Sequence, residues 1–330
     1  MKNEVTAAPA TDAACKEVGM LNMGIITGFL SRTKDRFHEY NQPLDLDAKF
    51  SLMGEIEGYD GVEIVYPYEV SDPEETRRLL DRHGLTIAAV NVNVKAEPEF
   101  RHGGLTSSRK EVRDKAVRFI KEAKDFAAAA GADKVTCCPL GDGYEFSFQH
   151  DYARTWRYLV ETFGEAGSHR PEVPLFIEYK PSETRGRCFV DSAAKTLCLL
   201  NDMQCPEVGV TLDFGHSVYG GEHPAEALVA LAESPYRYYI HINDNDGKWD
   251  WDYFCGTKHY LEYVEFLFYL KKYGYTDYLT SDTSPTRWDI KGTFEANSRL
   301  TNKIWQRLDD IDPVKFAQLM ANGDYLETWK

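Results

Sequence analysis

The stretch that decides the fold reads I-E-Y-K-P-S-E-T-R-G, residues 177–186, and it follows the apolar residues 174–176. The apolar run predicts a buried strand. Because successive side chains of a strand point to opposite faces, Glu178 and Lys180 share one face. Charged side chains are rarely buried without a partner, so this pair needs an explanation from the rest of the chain.

Strand-like runs alternate with amphipathic runs on both sides of this stretch. The predicted strands are 21–28, 61–66, 86–93, 133–138, 174–179, 207–213, 238–243 and 278–282. The predicted helices lie near 47–58, 74–84, 108–131, 151–167, 191–203, 223–233, 259–274 and 289–310. This alternation predicts an α/β fold with a parallel sheet covered by helices. Eight such units in this length favour a (β/α)8 TIM barrel over a doubly wound sheet.

The barrel is predicted as a single domain over residues 19–310. Residues 1–18 lack the basic start and apolar centre of a signal peptide, so we expect a flexible N-terminal tail. Residues 311–330 exceed the eighth unit and predict a short C-terminal helical extension. No apolar run approaches the ~20 residues that span a bilayer, so no membrane partner is expected.

Charge and cysteine content narrow the class of protein further. The 330 residues carry a formal net charge of −15, which argues against a nucleic-acid partner because phosphates attract a basic surface. The seven cysteines are odd in number and have no regular spacing. This usage favours a reduced, cytoplasmic setting over a disulfide framework.

Metal-capable side chains stand at the ends of four successive predicted strands, the fifth to the eighth. They are Glu178, Asp213, His241 and Asp282. In a TIM barrel the carboxyl ends of the strands form one rim that carries the active site. Each residue alone has an ordinary explanation, such as a helix cap or a hydrogen-bonded core histidine. Four in succession predict a metal site.

A loop rich in Asp and Trp follows the seventh strand and reads N-D-G-K-W-D-W-D-Y-F, residues 245–254. Its alternation places the carboxylates of Asp250 and Asp252 on one side and the indoles of Trp249 and Trp251 on the other. Carboxylates combined with imidazole suit Mn²⁺, Mg²⁺ or Co²⁺. The absence of Cys at these positions argues against a structural zinc site. The ordinary alternative for an Asp-rich loop is a solvated turn.

These motifs resemble known proteins. Residues 178–186 are similar to the strand-five signature of xylose isomerase, and Asp213-x-x-His216 is similar to its strand-six motif. Residues 98–115 resemble the segment after its third strand. Over roughly residues 60–300 the chain therefore resembles the xylose isomerase-like TIM-barrel superfamily. Asp on strand six and His on strand seven are closer to the site of L-rhamnose isomerase.

The resemblance implies a divalent-metal cofactor, Mn²⁺ first with Mg²⁺ or Co²⁺ as alternatives, as one or two ions. The first ion would be held by the four strand-end residues, Glu178, Asp213, His241 and Asp282. The second would share Asp213 and add His216, Asp250 and Asp252. The expected activity is aldose–ketose isomerisation of a sugar by a metal-assisted hydride shift.

The resemblance also assigns roles around the metals. Lys180, Glu178 and His216 are the expected catalytic residues, with Lys180 bonded to a substrate oxygen near C1; its alternative is a rim-neutralising pair with Glu183 or Asp213. The expected substrate-binding residues are His38, Tyr66, Trp249 and Trp251. The second strand lacks the ring-opening His of xylose isomerase, which makes xylose a doubtful substrate.

Other activities stay open at this point. A ketose epimerase of the same superfamily uses one metal and two acid–base groups, but typically has Glu where this chain has Asp282 and lacks the paired loop carboxylates. A C-glycoside-cleaving enzyme with a small partner subunit and a non-catalytic sugar-binding barrel are further alternatives. An abasic-site endonuclease would need more His than nine. Relatives are commonly dimers or tetramers, so we expect a homo-oligomer.

Overall fold

The computed structural model describes residues 21–330, and its central element is a closed barrel of eight parallel strands. In chain order the strands β1–β8 are Met23–Ile26, Gly61–Tyr66, Thr86–Val92, Val135–Cys137, Leu175–Glu178, Val208–Asp213, Tyr238–Ile242 and Leu279–Ser281. Each strand pairs with its neighbours in sequence, and β1 also pairs with β8 to close the ring. The predicted (β/α)8 TIM barrel is confirmed. The tail predicted over 1–18 lies outside the described residues.

Helices surround the barrel and connect its strands. In chain order α1–α10 are Leu46–Met53, Pro73–His83, Lys110–Ala130, Tyr152–Gly167, Ala193–Met203, Phe214–Gly220, Pro224–Ala232, Tyr260–Lys272, Ile290–Arg307 and Pro313–Asn322. Single 3₁₀ turns cover Thr27–Leu30, Pro98–His102, Leu308–Asp310 and Glu327–Trp329. Helix α2 shows how the sequence sets the ends of a helix. The Asp72 carboxylate accepts hydrogen bonds from the first backbone amides, and Pro73 is the first helical residue. Gly84 ends the helix in the left-handed conformation, with φ 65°.

Two helices depart from the predicted pattern. The helix predicted near 47–58 ends at Met53, because the chain turns at Gly54. The short helix α6 was not predicted; it begins directly at the end of β6, where the Asp213 carboxylate accepts a hydrogen bond from the His216 amide. Strand β6 therefore passes into a helix without a loop, which holds Asp213 and His216 at the rim.

The C-terminal residues lie outside the ring of helices. Helix α10 has no fully buried residue and packs Phe316 against Phe268 of α8, with ring centroids 5.2 Å apart. The predicted helical character of 311–330 is present in α10 and the turn Glu327–Trp329. Across residues 21–330, every helix is either too short or too polar to cross a membrane.

Candidate metal centre at the barrel mouth

A cavity of about 440 Å³ lies at the carboxyl ends of the strands. Its volume falls within the range of small-molecule sites in proteins. The wall combines polar groups with a few apolar ones, among them Phe29, Val65, Asn91, Asn93, Lys95 and Cys138. The charged residues Glu178, Lys180, His216, Asp250, Asp252 and Asp282 also line it. The predicted acids and bases of the rim therefore face a common space.

Four of the predicted metal ligands converge below this cavity. Glu178, Asp213, His241 and Asp282 each offer one ligand atom, and these atoms lie within 4.8 Å of one another. Glu178 ends β5 and Asp213 ends β6. His241 lies within β7, and Asp282 directly follows β8. Parallel pairing sets Asp213 opposite His241, so the backbone ladder brings these two ligands together.

The imidazole of His241 indicates what this cluster can bind. Its Nε2 is bonded to Glu63 Oε2 at 3.0 Å, whereas its buried Nδ1 has no hydrogen-bond partner within residues 21–330. Nδ1 lies 3.5 Å from Glu178 Oε1 and 3.8 Å from Asp282 Oδ2. A free imidazole nitrogen aimed at carboxylates is the arrangement of a metal-ligating histidine. Three carboxylates and one imidazole fit Mn²⁺ or a similar divalent ion.

The carboxyls of the cluster differ in their acidity. Burial by itself raises the pKa of Glu178, but the adjacent His241 outweighs it and lowers that pKa to about 2. Burial together with the charges of Glu178 and Asp213 raises the pKa of Asp282 to about 8. At neutral pH the protein's own groups therefore leave Glu178 ionised and Asp282 protonated. Three carboxyls converge here, and a divalent cation would stabilise their ionised forms.

The ligands predicted for a second ion have a different environment. Asp250 Oδ2 lies 2.8 Å from the ammonium of Lys180 and 3.2 Å from His216 Nε2. The Lys180 ammonium also contacts Glu183 at 2.5 Å. Within the described part of the chain, only the strand-end cluster has three or more ligand atoms so close together. Asp250 is thus paired with a cation of the protein itself.

Two of the predicted substrate-binding residues lie away from the cavity. The ring of Tyr66 packs against Phe126 of α3 with centroids 5.5 Å apart, on the outer side of the barrel. Side chains alternate along β2, so Val65 lines the cavity and Tyr66 faces the helices. His38 is exposed, and the centroid of its ring lies 6.1 Å from that of Tyr40. Neither ring lines this cavity, so a substrate-binding role for Tyr66 or His38 stays a prediction.

The two predicted tryptophans also miss the cavity wall. Trp249 packs against Tyr219 at 6.2 Å between centroids. Trp251 is 48% exposed, and its indole N–H donates to Asp246 at 3.0 Å. The aromatic residue that does line the cavity is Phe29, in the turn after β1, which sequence reasoning missed. A sugar-binding role for either tryptophan stays a prediction.

The fold is a TIM barrel, and metal-capable side chains from four of its strands converge at the carboxyl end of the barrel. The protein therefore has a candidate metal centre where TIM barrels carry their active sites. The chain belongs to the xylose isomerase-like TIM-barrel family, whose model matches residues 54–302. The predicted resemblance is therefore confirmed at the level of the family. The finer likeness to L-rhamnose isomerase stays a prediction.

Several solved structures share this fold over nearly the whole chain. L-ribulose 3-epimerase has a TM-score of 0.68 at 18% identity, covering 88% of this chain and 96% of its own. A D-tagatose 3-epimerase-like protein has a TM-score of 0.68 at 19% sequence identity, and the match covers 87% of this chain and 99% of that protein. The 3-keto-D-glucoside 4-epimerase from E. coli has a TM-score of 0.65 at 16% identity, and the match covers 86% of this chain and 98% of that enzyme. At such low identities the likeness establishes the fold.

Proposed function

We propose that the protein is a metal-dependent sugar epimerase, which inverts a carbon next to a carbonyl group. The observation that carries the proposal is the cluster of four metal-capable side chains, the only such cluster within residues 21–330, beside which Lys180 already neutralises Asp250. Epimerase chemistry needs one ion, whereas the hydride shift that we expected from sequence needs two. The names of several structural neighbours, which are sugar epimerases, support the same choice.

The residues that would hold the ion are Glu178, Asp213, His241 and Asp282, and Mn²⁺ is the ion we expect. When bound, the ion would polarise the carbonyl group of a sugar and so acidify the adjacent C–H bond. Nδ1 of His241, which has no hydrogen-bond partner within residues 21–330, and the ionised Glu178 would both contact the ion. Asp282, which is protonated at neutral pH, would supply a proton to the substrate.

Glu178 and Asp282 supply a base and an acid from two different strands. In the proposed reaction, Glu178 takes the proton from the carbon, and the C–H electron pair moves toward the carbonyl oxygen. The Asp282 O–H then gives a proton to the other face of that carbon, so the two carboxyls exchange protonation states. Pairs of carboxyls whose pKa values are pushed apart are suited to such acid–base work.

Lys180 contributes a buried positive charge at the edge of the cavity. Burial disfavours this ammonium, but Asp250 and Glu183 outweigh burial and keep the pKa of Lys180 well above its usual value. Its N–H groups line the cavity, where they can donate to a hydroxyl or carbonyl oxygen of the sugar. In this proposal Lys180 binds substrate and holds Asp250, and no second ion is required.

An aldose–ketose isomerase is the second candidate. It is favoured by the position of Asp250 and Asp252, which line the same cavity as the strand-end ligands. That activity would require a second ion near these two carboxylates and a hydride shift within the substrate. The two candidates therefore differ in the number of ions and in the origin of the transferred hydrogen.

The test combines metal counting with product analysis in heavy water. Chelated protein is reloaded with Mn²⁺ and incubated in D₂O with a panel of ketoses, keto-glycosides and aldoses. We expect one ion per chain and an epimer that carries one solvent deuterium at the inverted carbon. Aldose–ketose conversion without deuterium, at two ions per chain, would favour the second candidate. No turnover of any sugar in the panel would contradict both.

A further inference from the structure

Glu63 is a buried carboxylate inside the barrel to which neither the sequence motifs nor the proposed reaction assign a role. It lies in β2 and is fully inaccessible to solvent. Its partner His241 lies in β7, and β1 and β8 separate the two strands in the ring. The Glu63–His241 contact therefore crosses the interior of the barrel directly below the proposed metal centre.

Every partner of the Glu63 side chain can donate a hydrogen bond to it. Oε2 accepts from His241 Nε2 at 3.0 Å. Oε1 accepts from Asn91 Nδ2 at 3.0 Å and from Thr136 Oγ1 at 2.5 Å. A carboxylate is costly to bury unless it is paired and hydrogen-bonded, and here both oxygens are satisfied. The surroundings thus favour the ionised form of Glu63 in one fixed orientation.

This orientation decides which nitrogen of His241 can bind a metal. Glu63 keeps a proton on Nε2, so Nδ1 is the nitrogen that loses its proton and presents a lone pair when a metal binds. That same Nδ1 has no hydrogen-bond partner within residues 21–330 and faces Glu178 and Asp282. We infer that Glu63 is the positioning residue of the metal centre, which fixes the tautomer and the direction of the His241 ligand. The inference rests on the proposed function, because it requires that His241 binds a metal.

The alternative is that Glu63 serves only to tie β2, β3, β4 and β7 together. Replacement by Gln separates these roles because it keeps size and shape. Asn91 and Thr136 both donate toward Oε1, so the Gln oxygen is favoured on their side. The Gln amide then donates toward His241 Nε2. That arrangement moves the ring proton to Nδ1, where it blocks metal binding.

The experiment compares Glu63→Gln with Thr136→Val, which removes a donor from the same carboxylate but keeps its charge. Mn²⁺ affinity is measured by calorimetry on chelated protein, and the melting temperature without metal reports the structural contribution. We expect Glu63→Gln to weaken Mn²⁺ binding by roughly 10–100-fold, the usual cost of losing such a supporting partner. Thr136→Val should keep an affinity close to that of the wild type.

A second readout needs no variant. In ¹⁵N NMR of the Mg²⁺-loaded wild type, we expect His241 to carry its proton on Nε2. Wild-type affinity in Glu63→Gln, equal weakening by Thr136→Val, or an Nδ1–H ring in the wild type would each overturn the inference. Failure of the wild type to bind Mn²⁺ or Mg²⁺ would instead overturn the proposed metal centre itself, and the inference with it.

Discussion

The two groups of acids at the barrel mouth differ in what surrounds them. The strand-end group, Glu178, Asp213, His241 and Asp282, converges within 4.8 Å and includes an imidazole nitrogen with no partner in the described chain. The loop pair, Asp250 and Asp252, follows β7, and Asp250 already contacts Lys180 at 2.8 Å. The strand-end group is offset by the imidazoles of His241 and His216, whereas Asp250 in the loop pair contacts the ammonium of Lys180.

The difference teaches where a metal is needed. Strand-end side chains are fixed by the hydrogen-bonded ladder, so their mutual repulsion cannot relax by movement of the backbone. Loop carboxylates can pair with a nearby ammonium, as Asp250 does with Lys180. Excess buried charge that the protein does not neutralise is therefore the better indicator of an ion site.

The largest expected effect comes from breaking the strand-end group. Glu178→Gln removes a ligand charge and the proposed base, and we expect turnover to fall by roughly a thousandfold or more, as for the loss of several kcal/mol of metal-assisted stabilisation. Steady-state kinetics at saturating Mn²⁺ measures this. Glu183→Gln is the matched control, because Glu183 is a carboxylate beside the same cavity, where it contacts Lys180, but it is not in the strand-end cluster. Equal losses in both variants would contradict the assignment.

Removal of the Lys180 ammonium should turn the loop pair, Asp250 and Asp252, into a second metal site. Lys180→Met leaves Asp250 without its ammonium, close to Asp252 and His216. We expect bound Mn²⁺ to rise from one to two ions per chain, measured by elemental analysis after dialysis. Lys95→Met is the control, since Lys95 lines the same cavity but forms no ion pair within residues 21–330. A count that stays at one would show that the loop pair cannot hold an ion.

A smaller effect is expected from pH. Burial and nearby carboxylates raise the pKa of Asp282 to about 8, and the carboxylates of Glu63 and Glu178 outweigh burial to raise the pKa of His241 well above its usual value. A metal must displace the Nδ1 proton that His241 holds at pH 7, whereas Asp282 keeps its proton for the substrate, so Mn²⁺ affinity should rise from pH 6 to pH 8. The slope is about tenfold per pH unit for each proton released. Calorimetry in two buffers of different ionisation enthalpy counts these protons; identical heats would contradict the prediction.

The sequence predicted the barrel and the convergence of its strand-end acids and histidine for a common physical reason. Eight alternating units restrict the topology, and parallel strands bring their carboxyl ends to one rim. Residues such as Asp213 and His241 therefore needed only their place at a strand end to be found. Their proximity follows from strand pairing.

Loop residues and inward-facing residues could not be predicted in the same way. The directions of Trp249 and Trp251 depend on contacts such as that with Tyr219, which no local pattern encodes. Glu63 and Tyr66 were different, because the strand period carried the missing signal. The same alternation that drew attention to Glu178 and Lys180 places Glu63 inside the barrel and Tyr66 outside it.

Asp213 both caps a helix and belongs to the candidate metal cluster, which limits how this position can change during evolution. Its carboxylate starts α6 by accepting from the His216 amide at 2.8 Å, and it also faces the other ligands. Asn would preserve the helix start but not the charge, whereas Glu is too long to cap the helix in the same way. Substitution at this position is therefore more restricted than at a ligand that serves the metal alone. A descendant that abandoned metal chemistry would still gain from an Asp or Asn here.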